Sequence, residues 1–286
     1  MTETVARHVR PNTLDEADVQ DLAEELGDSV ESLGTSPTVF GLAFNEALMQ
    51  VQARLVIDPK ASELPTWEAT VAAMQVSHAA FATTTTNVGT MECRIIDQVR
   101  RLPATGPQFY ANAGNWLIAL WFAIICRDQT RTTELCQIPL TTLRASGAAG
   151  DEYIYNWVDT LQTYWLERPG LVDKLATTID NSYPEVATTA PRDLLQNILY
   201  PPIDLFYHFL RKDQDAFNAA LLEALQLHKS YWTIDEKRAN DLGGTVALAL
   251  LAITCLACDA GFPITVESDY LPGHLLDREW VGEFEV

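Results

Sequence analysis

LGGTVALALLAITCLAC, residues 242–258, runs for 17 positions without a charge. Two readings compete for it. A membrane span needs about 20 apolar residues, and this run stops short of that between Asp241 and Asp259. No aromatic residue anchors either end, although Lys237 and Arg238 stand a turn upstream. A helix apolar on every side and lacking such anchors belongs inside a helical bundle. The second apolar run, WLIALWFAIIC at 116–126, is shorter still and is approached through Asn112 and Asn115. Both are expected to be buried by the rest of the chain, with no membrane involved.

Helical signals dominate outward from these two runs. TLDEADVQDLAEELGDSVESL, from Thr13, sets Leu22, Leu26 and Val30 at i, i+4 and i+8, with Thr13 as N-cap and Glu16 three residues on as a capping box. Gly34 stops this helix and Pro37 restarts the chain. Further helices are expected over 38–56, from Pro65 through Trp67, Val71, Met74, His78 and Phe81, and over 88–102, 114–126 and 152–167. Another opens at Pro191, is interrupted at Tyr200-Pro201-Pro202, and resumes over 203–210. One more carries Phe217, Leu221, Leu225 and His228, and the last runs over 236–260 until Gly261 and Pro263 end it. Strand-like alternation shows only at Ile264-Thr265-Val266-Glu267, near the C-terminus.

The pattern is that of an all-α protein of about ten helices, in a bundle or an irregular stack of helical hairpins, as one domain over 1–286. WLIALWFAIICRD (116–128) and ALALLAITCLACDAG (247–261) look weakly alike, each an apolar helix reaching Cys and then Asp. That hints at two halves meeting near residue 147, inside the linker-like Ser146-Gly147-Ala148-Ala149-Gly150.

With 48% hydrophobic and 20% charged residues in 286, the chain is neither a disordered tail nor a fibre. Its 19 Lys and Arg face 39 Asp and Glu, a net charge of −20. Such a charge repels phosphate backbones and anionic lipid, so nucleic-acid and membrane partners are disfavoured and a basic protein partner is favoured. The five cysteines are an odd count, and the opening MTETVARHVRPNT shows no charged n-region followed by an apolar stretch, so no signal peptide is expected. A reducing cytosol and free thiols are expected.

Catalytic chemistry finds little support. Cys255-x-x-Cys258 falls late in an apolar helix, where burial raises a thiol pKa, and reads as two core thiols. The five histidines are scattered. Asp204 and His208, four apart, share a helix face that carries a rival reading: a hydrolase or other helical enzyme with its site near Asp204, His208 and Tyr200. Asp269 and His274 are a further pair within reach, with no nucleophile tied to them. No zinc-ligand, nucleophile-elbow, dinucleotide or phosphate-loop pattern is present, so no catalytic, cofactor or metal residues are assigned.

Charge patterning is more telling. Asp15, Glu16, Asp18, Asp21, Glu24, Glu25, Asp28 and Glu31 place eight acids in seventeen positions with no basic residue among them. Such a helix repels itself, which favours a partner-facing role. A second cluster closes the chain: Glu267, Asp269, Asp277, Glu279, Glu283 and Glu285 against Arg278, interleaved with Tyr270, Trp280 and Phe284. Aromatic anchors amid steering carboxylates suit recognition of a basic protein.

The C-terminal third resembles the immunity-49 family of bacterial polymorphic-toxin systems. The resemblance rests on GGTVALALLAITCLACDAG (243–261) running into FPITVESDYLPGHLL (262–276), above all Glu267-Ser268-Asp269-Tyr270-Leu271-Pro272, and on WLIALWFAIICRD (116–128). It covers the chain from about residue 110 onward. The resemblance implies an antidote made in the cytosol, which binds a cognate toxin effector domain and blocks it without chemistry of its own. The acidic residues nominated for that contact are Asp15, Asp18, Asp21, Glu24, Glu25, Asp28, Glu31, Glu267, Asp269, Asp277 and Glu279. Tyr270 is expected to pack inward and Pro272 to end the extended segment. A helical scaffold or adaptor remains as a third reading, differing only in its partner.

Overall fold

The computed structural model describes residues 2–283. It is mostly helical, as the periodicity predicts. Helix α1 (Glu16–Ser32) turns its Val19, Leu26 and Val30 inward. Helices α2 (Phe40–Ile57) and α3 (Leu64–Ala82) follow, and α3 is rich in alanine and buried nearly all round. After a hairpin come α4 (Ala113–Ile125), α5 (Gln129–Cys136), α6 (Leu140–Arg144), α7 (Glu152–Trp165) and α8 (Leu171–Asn181). The last third holds α9 (Arg192–Leu194), α10 (Pro201–Leu210), α11 (Gln214–Trp232), α12 (Glu236–Ala239), α13 (Leu248–Asp259) and α14 (Gly273–Leu276).

Helices α1 to α4 pack in chain order, each on the next; α4 then lies against α13, α13 against α10, and α10 against α11. Helix α7 covers another side of α4 and carries α8. The two lookalike apolar helices, α4 and α13, are therefore direct neighbours. Beyond their ends the Arg127 guanidinium meets the Asp259 carboxylate at 3.2 Å and donates to the carbonyls of Leu275 and Leu276. Trp116, fully buried on α4, donates its indole N–H to the Leu135 carbonyl at 2.9 Å. One apolar cluster joins residues from both sides of the 146–150 linker.

The structure departs from the sequence reading in three places. The cap of α1 is Asp15 rather than Thr13: its carboxylate accepts from the backbone N–H of Ala17 and Asp18, and Asp18 returns the favour to the Asp15 N–H. Residues 88–102 are not helical. They form an antiparallel hairpin of β2 (Thr90–Ile95) and β3 (Gln98–Pro103), whose two-residue turn, Ile96-Asp97, has φ of 45° and 59°. That turn type normally announces itself with Asn-Gly or Asp-Gly; an isoleucine conceals it.

The helix expected over 236–260 is broken, because Gly243 and Gly244 pass so close under Trp232 that a Cβ on Gly244 would stand 2.9 Å from its Cγ. The 242–259 stretch thus becomes a short 3-10 turn and the 12-residue α13, with 61% of it inside the molecule. The interruption expected around Pro201 is present: a π-turn over Leu195–Leu199 lets Tyr200 N–H reach the Leu195 carbonyl, and the helix resumes as α10, whose first turn needs no donor from proline.

An N-terminal strand meets one in the C-terminal third. β1 (Glu3–Thr4) pairs in parallel with β4 (Val266–Glu267), the extended segment seen in the sequence. Next to this pairing Tyr270, fully buried as expected, takes an N–H from His8 on its hydroxyl at 3.1 Å and bonds the His8 Nδ1 at 2.8 Å.

Candidate functional site

All eight acids of the N-terminal run point outward, since the apolar side of α1 faces α2. They do not do the same work. Asp15 and Asp18 cap the helix. Glu16 pairs with Arg54 of α2, and Glu31 with Arg100 of β3 at 2.8 Å, which holds the Glu31 carboxyl below its ordinary range. Tertiary structure therefore supplies the cations that the sequence of α1 lacks. Asp21, Glu24, Glu25 and Asp28 remain, spaced at three and four residues and so forming one stripe along the exposed side. A hydrogen bond from Gln20 to Glu24 is weak support at 3.3 Å. This stripe keeps its self-repulsion.

Of the C-terminal acids, Glu267, Asp269, Asp277, Glu279 and Glu283 are exposed, whereas Glu285 and Phe284 lie outside the described residues. Asp269 and Thr13 line the same cleft of about 410 Å³, so Asp269 stands beside the segment that enters α1. Burial lowers the pKa of Arg7 in this cleft, with Asp269 opposing that shift. Glu279 pairs with His274 at 2.8 Å, and it is Glu279 rather than Asp269 that His274 meets. The His274 N–H and the Trp280 indole donate to the carbonyls of Lys60 and Ala61, pinning this end on the α2–α3 corner. Arg54, bridging Glu16 and Glu63, stands at the same corner. The fold thus brings Glu16, Asp269 and Glu279 to one corner.

Sequence reading missed a groove beside the stripe. Helices α1 and α3 both lie on α2 and leave between them a groove of about 490 Å³. Val19, Ala23 and Leu26 form one wall, Ala69 and Ala72 the other; Gln50 and Arg54 of α2 form the floor, and the hairpin tip closes one end. No linear pattern announces it, since its four pieces come from separate elements and the hairpin among them carries no strand signature in the sequence.

Elsewhere the rival enzyme site is only half assembled. Tyr200 and Asp204 line a cavity of about 350 Å³ with Glu223 and Tyr183. His208 is not among its lining residues and stands 3.8 Å from Asp204, beyond good hydrogen-bond range. Burial, then Asp204, pushes the Tyr200 hydroxyl up. The five cysteines are free, and burial pushes Cys255 to about 12 and Cys258 to about 11, which makes the pair poor nucleophiles. Among the described residues no group of three His, Cys, Asp or Glu is placed to hold a metal ion.

A family model described as immunity protein 49 matches residues 58–275, about three quarters of the chain. The chain belongs to the immunity protein 49 family. The match begins well before residue 110 and so reaches further toward the N-terminus than the sequence motifs alone indicate: α3 and the hairpin fall within the immunity protein 49 span, while β1, α1 and α2 precede it. The SDYLP turn lies inside the span and is structural here, with Tyr270 and Leu271 buried. The Arg-Asp pair ending the Trp116 helix is structural too: Arg127 clamps the C-terminal segment and Asp128 caps α5, its carboxylate accepting from the Arg131 N–H. No curated protein and no solved structure matches the chain.

Proposed function

We propose that this immunity protein neutralises a cognate bacterial toxin by binding its effector domain and covering it, without turning over a substrate, in the cytosol of the cell that makes both. Family membership is the observation that carries the reading. The exposed stripe Asp21, Glu24, Glu25 and Asp28, together with the exposed Glu267, Asp269, Asp277 and Glu279 of the C-terminal segment, supports a basic partner. A field of this sign speeds encounter with a positive surface and weakens as salt rises.

The test uses the effector domain encoded by the neighbouring toxin gene. The variant is Asp21→Asn, Glu24→Gln, Glu25→Gln and Asp28→Asn; Asp15 and Asp18 are left alone because they cap α1. Association should slow by about tenfold at low salt and its salt dependence should flatten, with dissociation little changed. Unaltered association kinetics would remove the stripe from the interface. Failure of the parent chain to rescue growth on co-expression, or to form a complex, would refute the reading itself.

A further inference from the structure

Three observations converge on the groove between α1 and α3. First, residues lining it carry buried polar atoms without partners: two donors, Trp67 Nε1 and Arg54 Nε, and one acceptor, the Gln50 side-chain oxygen. Trp67 is 2% exposed and Arg54 4%. Unpaired donors this deep are rare in folded proteins, and several around one groove point to a missing partner.

Second, the groove ends at the hairpin tip, where Ile96 holds a left-handed backbone and is 37% exposed. A β-branched side chain there is strained, and such strain gathers at functional sites. The buried Gln75 oxygen accepts the Ile96 N–H at 2.9 Å and keeps the tip in place. Third, the rim is acidic. Glu16, Glu68 and Asp97 stand on it, and the one cation of the floor, Arg54, is already matched by Glu16 and Glu63.

An anion is repelled by that rim. A basic protein segment satisfies all three features: its Lys or Arg heads meet the rim, their stems cover Ala23 and Ile96, and its amides can both donate to and accept from the unpaired groups below. We propose that this groove anchors a basic segment of the toxin, one of whose backbone or Asn/Gln amides satisfies the unpaired polar atoms of Trp67, Arg54 or Gln50 as these side chains turn toward it. The inference rests on the toxin-binding reading and adds an anchor to its steering stripe.

The test titrates protein labelled with ¹⁵N-tryptophan with the same effector domain, the Trp67 indole signal being identified by its loss in Trp67→Phe. On binding, that signal should shift and its exchange with water should slow. Ala23→Trp, which fills the groove from a half-exposed wall, should weaken affinity at least tenfold while leaving the circular dichroism unchanged. An unmoved Trp67 signal with full affinity in Ala23→Trp, alongside slowed association in the stripe variant, would overturn the anchor and leave toxin binding intact. Absence of any complex would sink both. A small molecule that native mass spectrometry finds in the parent and not in Ala23→Trp would give the groove to that ligand and overturn the proposal.

Discussion

Tyr270 carries more of the fold than its place in a turn suggests. Its hydroxyl accepts the backbone N–H of His8 and bonds Nδ1 of the same residue, while the other ring nitrogen of His8 lies 3.2 Å from the Ala239 carbonyl. A carbonyl only accepts, so the proton sits on Nε2, and Nδ1 accepts from the tyrosine. Tyr270→Phe leaves two buried groups of His8 unpaired. Urea unfolding should show a loss of about 1–3 kcal/mol, the usual cost of stranding such groups. Gly244 closes the same site: a Cβ there would stand 2.9 Å from Trp232 and 3.1 Å from His8. Gly244→Ala should therefore lower stability by about 1–3 kcal/mol through overpacking, and a thermal midpoint equal to the parent's would show that the backbone yields instead.

At the scale of elements, the α2–α3 corner hangs on Asp58. Burial alone pushes its carboxyl up, but it accepts from the N–H groups of Ser62 and Glu63 and from the hydroxyls of Ser62 and Thr66, and the balance holds it below the usual range. Asp58→Ala strands those donors at the start of α3, and a loss of about 3 kcal/mol is expected from charged-acceptor bonds of this kind. Because His274 and Trp280 dock on the carbonyls of Lys60 and Ala61, proteolysis of the variant should begin in the C-terminal segment; unchanged cleavage would detach the corner from that end.

What the sequence discloses at this scale follows the reach of its signals. The apolar spacing of α1 and α7 is local and was readable, as was the all-round apolarity of α4 and α13. The hairpin was not, since Met91, Cys93 and Ile95 alternate for only a few residues and the turn lacks glycine. The break before α13 depends on Trp232 lying over Gly244, a contact with no local trace. For the candidate surface, the acids were legible and their division of labour was not: Arg54 and Arg100, which neutralise Glu16 and Glu31, are remote in sequence from α1.

The whole molecule sets a net charge of −20 against a closure in which N-terminal and C-terminal segments are clasped by neutral histidines. Self-repulsion of the carboxylates is relieved by acid, which taken alone stabilises the fold as pH falls. The clasp responds the other way. His228, 5% exposed, stacks edge-on against Tyr270 and donates to the Gly244 carbonyl; burial pushes its pKa down to about 4. His8 is lowered too, first by burial, then with Arg7, Arg10 and Lys229 nearby opposing a positive charge against the Ala239 bond that favours one. Both side chains take up protons more readily when unfolded. Their contribution is therefore intact above the ordinary histidine value near 6.5 and is lost as pH falls from there toward 4, at ~1.4 kcal/mol per pH unit for His228. Because that loss is local and steep whereas relief of surface repulsion is diffuse and screened by salt, the unfolding free energy at 0.15 M salt should be lower at pH 5.0 than at pH 7.5. His228→Gln should be less stable at pH 7.5 yet show a flatter pH dependence. Equal slopes in parent and variant would place the acid sensitivity outside the clasp.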